Sequence, residues 1–114
     1  MQYSLDHFDK YSVFRLKEDN LNSLLASSLK AQLMRLHTDG VPALVFDLSE
    51  VKYVDSSGLS AILTGNRLWK DNLNDRFIVI GVDSPNIQKL IKISQLDSIL
   101  AIEKSLEEAQ KCLA

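Results

Sequence analysis

Strands and helices that alternate after an opening hairpin predict an α/β domain. The expected form is a mixed sheet of about five strands with about four helices packed on it, spanning residues 1–114 as a single domain. Three observations carry this reading. A chain of 114 residues with 46% hydrophobic and 25% charged residues has the size and composition of one globular core. Two runs, Ala43–Leu48 (A-L-V-F-D-L) and Phe77–Val82 (F-I-V-I-G-V), are almost wholly apolar, as in strands covered on both faces. Around them, apolar residues recur every three or four positions, the spacing of amphipathic helices.

Taken in order, Tyr3–Phe8 alternates partially, with Tyr3, Leu5 and His7 set against Ser4, Asp6 and Phe8, and Tyr11–Leu16 alternates more clearly. With Asp9-Lys10 as a turn, these segments predict a hairpin at a sheet edge. Leu21, Leu25, Leu29, Leu33 and Leu36 predict a helix of about four turns, capped by Asn20 and stopped at Thr38-Asp39-Gly40. Ala43–Leu48 is a buried strand and Val51–Val54 a short extended piece. A helix is expected from Ser57 with Leu59, Ile62 and Leu63 inward. After the strand at Phe77–Val82, Ser84-Pro85 opens a helix with Ile87, Leu90 and Ile91 inside. Ile99–Ile102 is a last short strand. The S-x-x-E spacing of Ser105 and Glu108 opens a C-terminal helix with Leu106, Ala109 and Leu113 inward.

Composition excludes several functions. Net charge is −2 and no basic run is present, so the phosphate-neutralising face that nucleic-acid binding needs is missing. The N-terminal residues lack a secretory signal pattern, and no apolar run approaches the length of a membrane span. One free thiol, Cys112, suits a reducing cytosol. The expectation is a soluble cytoplasmic protein, a monomer or weak dimer, bound to neither nucleic acid nor membrane. His7, His37 and Cys112 give no zinc spacing. No phosphate-cradling glycine loop and no G-x-S-x-G elbow occur. Asp47, Glu50 and Asp55 read as solvated acids near strand ends. No catalytic residue, metal or cofactor is expected.

The unusual segment is Asp55-Ser56-Ser57-Gly58. A capping Ser or Asp would explain it by itself. Its context adds more. It follows a buried strand and a short bridge, and the helix after it is short-sided where charged side chains are usual. Ser57, Ala61, Thr64 and Leu68 recur at i, i+4, i+7 and i+11, with Ser60 and Gly65 beside them. That low-relief stripe reads either as a landing surface for another protein or as packing against a neighbouring helix.

From Val45 to Leu63, the block V-F-D-L-S-E-V-K-Y-V-D-S-S-G-L-S-A-I-L resembles a STAS domain of the anti-sigma factor antagonist type, and the order of elements is similar along nearly the whole chain. The resemblance implies that Ser57 is phosphorylated by a partner that is both a serine kinase and an anti-sigma factor. It implies that the unmodified form binds this partner, that phosphorylation releases it, and that a PP2C-type phosphatase resets the cycle. The partner-binding residues would be Asp55, Ser56, Ser57, Gly58, Ser60, Ala61, Thr64 and Leu68. Two departures stand out: Asn22 takes the place of the family's Asp before the first helix, and Gln95 replaces the Gly of an S-G-L sequence, which implies a changed turn. A second reading is an accessory STAS subunit that docks on a transporter or another regulatory complex without phosphate. A third, an enzyme with Ser57 as nucleophile, lacks a base placed to serve it.

Overall fold

The structure is a computed structural model that describes residues 1–71 and 74–113. Five strands, β1 (Tyr3–His7), β2 (Ser12–Leu16), β4 (Leu44–Asp47), β8 (Phe77–Ile80) and β9 (Ala101–Ile102), form one sheet in the order β1-β2-β4-β8-β9. β1 and β2 are antiparallel and the other pairs parallel, so the sheet is mixed and the opening hairpin lies at its edge, as expected. Between β2 and β4 runs α1 (Ser23–Thr38), between β4 and β8 runs α2 (Ser56–Leu68), between β8 and β9 runs α3 (Pro85–Ile93), and α4 (Leu106–Leu113) ends the described chain.

Alternation along the strands divides the core into two layers. Phe14, Leu16, Leu44, Phe46, Phe77 and Val79 point to the side covered by α1, α2 and α3. Val13, Val45, Ile78 and Ile80 point to the other side, where Ala109 and Leu113 of α4 meet them. Stacked rings of Phe14, Phe46, Phe77 and Trp69 run across the first layer. Trp69 is buried just beyond α2, and its Nε1–H donates to the Val41 carbonyl at 2.8 Å.

Several boundaries differ from the sequence reading. Leu21, assigned to the first helix, lies instead in a two-residue strand, β3 (Asn20–Leu21), parallel to β5 (Tyr53–Val54). The cap of α1 is therefore Asn22, whose Oδ1 accepts from the Leu24 N–H at 3.0 Å, and not Asn20. A small hairpin of β6 (Lys70–Asp71) and β7 (Asn74–Asp75) was not foreseen. Ser84 precedes α3 but makes no side-chain cap; its hydroxyl donates to the Lys52 carbonyl instead. Gln95 itself takes the left-handed conformation, φ 60° and ψ 24°, that glycine adopts without cost. The turn there thus keeps a glycine-type backbone under a larger side chain. Among the described residues no helix is long and apolar enough to cross a membrane.

Candidate functional site

The β3–β5 ribbon positions the site. Leu21 lies opposite Val54 in parallel register, and each strand feeds a helix after one capping residue, Asn22 for α1 and Asp55 for α2. Two helix N-termini therefore emerge side by side beyond the carboxyl ends of the parallel strands. The Leu21 carbonyl accepts from the Asp55 N–H at 3.2 Å and ties the start of α2 to the ribbon.

Asp55 is the N-cap, and α2 begins at Ser56, one residue earlier than expected. Asp55 Oδ1 accepts from the Gly58 N–H at 2.9 Å, and its carbonyl accepts from Leu59 N–H at 2.9 Å. Of the two roles open to Asp55, capping the helix or orienting the serine hydroxyl, the geometry gives it the first. Gly58 is buried, and a Cβ there would collide with the Leu21 carbonyl oxygen and press on the Leu21 and Val54 side chains. The glycine is needed because the helix runs onto the ribbon's backbone. Ser56 is exposed and Ser57 half-buried at the first two helical positions. At those positions the backbone N–H groups have no carbonyl one turn back.

The stripe drawn along Ser57, Ala61, Thr64 and Leu68 needs correcting. Ala61 is wholly buried in the main core, and Gly58 is buried with it. Leu68 is half-buried and lines a cleft with His37 from the C-terminal end of α1. The middle of the stripe thus packs inward, because small side chains let two helices approach closely. At about 100° per residue, the open face of α2 is turned by roughly 60° from the expected one. It carries Ser56, Ser57, Ser60, Thr64 and Arg67, with Leu63 at its border. Thr64 Oγ1 donates to the Ser60 carbonyl at 3.0 Å, and Arg67 Nη2 donates to Thr64 Oγ1 at 3.3 Å. The face is low and polar, with its hydroxyls grouped near the N-terminus.

Asp47 also departs from the expectation of a solvated acid. It is buried at the end of β4, where Oδ2 accepts from Arg15 Nε at 2.8 Å and Oδ1 accepts from the Ser49 N–H at 2.8 Å. Arg15 sits directly opposite it on β2. The hydrogen bond to Asp47, with its charge, raises the Arg15 guanidinium above its usual value. Gly81, at φ 72°, brings the end of β8 against this pair. The pair anchors the loop that leads from β4 to Asp55. Sequence reasoning missed it because its partners are 32 residues apart. Cys112 is an exposed free thiol raised by desolvation and by Glu103. No group of three metal-ligating side chains occurs among the described residues.

A family model described as STAS domain matches residues 3–109. The chain belongs to the STAS domain family. Several solved structures share its fold. An anti-sigma factor antagonist from Mycobacterium paratuberculosis is 22% identical, with a TM-score of 0.85 over 98% of this chain and 92% of that one. The Bacillus cell fate determinant SpoIIAA in its phosphorylated form is 21% identical, with a TM-score of 0.70 over 99% of this chain and 100% of that one. A STAS domain protein from Planctomyces limnophilus, described as an anti-sigma-factor antagonist domain, is 17% identical at a TM-score of 0.76, over 98% and 97% of the two chains. In this STAS domain, then, the D-S-S-G segment is a capped helix start with Ser56 exposed and Ser57 half-buried.

Proposed function

We propose that this STAS domain is an anti-sigma factor antagonist working by partner exchange in the cytoplasm, with Ser57 as its phosphorylation site. It performs no catalysis itself. The unmodified form binds a serine kinase that is also an anti-sigma factor, phosphorylation of Ser57 releases that partner, and a PP2C-type phosphatase restores the hydroxyl. The observation that carries this reading is the placement of Ser57 at the second position of a helix that is rigidly capped by Asp55. Phosphoryl transfer needs an accepting hydroxyl held in position, while nucleotide, Mg²⁺ and base come from the kinase. The docking surface is the open face of α2: Asp55, Ser56, Ser57, Ser60 and Thr64. Gly58 and Ala61 support it from beneath.

A phosphoserine carries about −1.5 to −2 charge near neutral pH. At a helix N-terminus the macrodipole favours that charge, so the fold is retained. A partner that closes over a neutral hydroxyl must instead desolvate a dianion. A loss of about 2.8 kcal/mol weakens binding roughly a hundredfold. The test is incubation with the cognate kinase and ATP, followed by mapping of the modified residue and binding measurements. Phosphate on Ser57, full binding by Ser57→Ala and at least tenfold weaker binding by Ser57→Asp are expected. Phosphate on Ser56 alone, or undiminished binding by Ser57→Asp, overturns the assignment.

A further inference from the structure

We propose that the free edge of β1 is a self-association surface, on which a second copy of this chain pairs antiparallel through residues Tyr3–His7. The inference does not depend on the function of Ser57.

Its starting point is the direction of backbone groups. At the two ends of the β1–β2 hairpin, the Phe8 N–H donates to the Tyr11 carbonyl at 2.9 Å and the Lys17 N–H to the Gln2 carbonyl at 2.8 Å. Even-numbered residues of β1 therefore bond to β2. Because antiparallel ladders alternate, the N–H and C=O groups of Tyr3, Leu5 and His7 point away from the sheet. β1 is the last strand on its side, and five residues long. Natural edges are blunted by proline, charged side chains, a bulge or a covering element. β1 contains no proline, it pairs with β2 in unbroken register from Tyr3 to His7, and its one acidic residue, Asp6, is the charge that the pairing below sets opposite a hydroxyl.

The sequence of this edge complements itself. A two-fold axis at Leu5 sets Tyr3 opposite His7 of the second copy and Leu5 opposite Leu5. The three outward residues then meet as hydrogen-bonded pairs. On the other face of the strand, Ser4 falls opposite Asp6 of the second copy, twice by symmetry. A hydroxyl thus meets a carboxylate, and no like charges face each other. The side chains of Tyr3, Leu5 and His7 line a groove of about 580 Å³ beside Gln32, Arg35 and Leu36 of α1. Tyr3 is 38% exposed there although its ring stacks on Phe14. The added strand would widen the floor of this groove with the same three side chains.

So short an edge buries little area, so the dimer is a weak one. Because the strands pair antiparallel, β4 runs in opposite directions in the two copies. Their Ser57 sites then lie at opposite ends of a continuous sheet, and both remain accessible.

The experiment is sedimentation of the full chain from about 10 µM to about 1 mM, with amide hydrogen exchange read residue by residue at both ends of that range. The expected result is a concentration-dependent shift from 12.8 kDa toward twice that mass. The amides of Tyr3, Leu5 and His7 should gain protection only at high concentration. Like charges placed directly opposite across strands are destabilising, so Ser4→Asp should weaken the association about tenfold. Ser4→Lys, which meets Asp6 with opposite charge, should keep or strengthen it. Circular dichroism of both variants checks that the monomer stays folded. A mass of 12.8 kDa throughout, or a dimer in which those three amides exchange freely, overturns the proposal. Equal association by Ser4→Asp and Ser4→Lys overturns it as well.

Discussion

Replacing Gly58 by alanine should destabilise this protein, although glycine-to-alanine changes inside helices ordinarily gain about 1 kcal/mol. The reason is the ribbon beneath it. The new Cβ would collide with the Leu21 carbonyl oxygen and stand 2.9 Å from side-chain carbons of both Leu21 and Val54. The side chains could shift, but the oxygen is backbone, and it is held by the Asp55 N–H. The first turn of α2 must therefore lift away from β3. Overpacking of this kind costs about 1–3 kcal/mol. The shift also strains the cap between Asp55 and the Gly58 N–H, whose loss costs about 1 kcal/mol. After subtracting the gain in helix propensity, a net loss of about 1–3 kcal/mol remains, or several degrees in Tm for a domain this size. Urea unfolding followed by the fluorescence of Trp69, the only tryptophan and 3% exposed in the fold, measures it directly. A midpoint equal to or above wild type would refute the argument from close approach.

Two other substitutions test separate parts of the fold. At the Arg15–Asp47 pair the guanidinium side is 45% exposed and the carboxylate side 5% exposed, so the two truncations should be unequal. Arg15→Ala leaves a buried carboxylate short of a partner and should cost about 2–3 kcal/mol, whereas Asp47→Ala leaves a charge that water reaches and should cost less. Denaturation midpoints of the two variants decide the order. At Gln95, the left-handed backbone costs a non-glycine residue about 1 kcal/mol, part of which Gln95→Gly returns as greater flexibility of the unfolded chain. The expected result is a stabilisation of up to about 1 kcal/mol, seen as a Tm increase in a thermal melt.

The five-stranded sheet and the four helices were legible because each carries its own period or its own stop. Phe77–Ile80 is apolar on every residue, Leu29, Leu33 and Leu36 mark one face of α1, and Gly40 at φ 91° ends it. The β3–β5 ribbon was not legible. Two residues have no period, and Leu21 continues the leucine spacing of α1 so well that it reads as helix. Its strand identity comes only from Val54, 33 positions away. The same blindness to distant partners turned the α2 stripe. Small residues at helical spacing mark either a docking face or a close helix contact. Ala61 could be assigned inward only once the core was assembled around it. Asp47 read as a loop acid because nothing local announces Arg15 across the sheet.

The four letters D-S-S-G divide, in the folded chain, into two kinds of residue. Asp55 and Gly58 hold the structure: one caps the helix, the other lets it lie against the Leu21 carbonyl. The serines between them do neither: Ser56 is exposed and Ser57 half-buried, and neither side chain is tied into the cap. A segment whose outer letters are fixed by backbone geometry can vary the chemistry of its inner letters without unfolding. A modification there is then read by whatever binds the surface and hardly felt by the core. That separation is what a phosphorylation switch requires, since the charge must change a contact between molecules while leaving the molecule that carries it intact. Neighbouring Ser56 is the more open of the two, but it faces another way. The two hydroxyls leave the helix about 100° apart, half-buried Ser57 on the side of buried Ala61 and exposed Ser56 on the outer side.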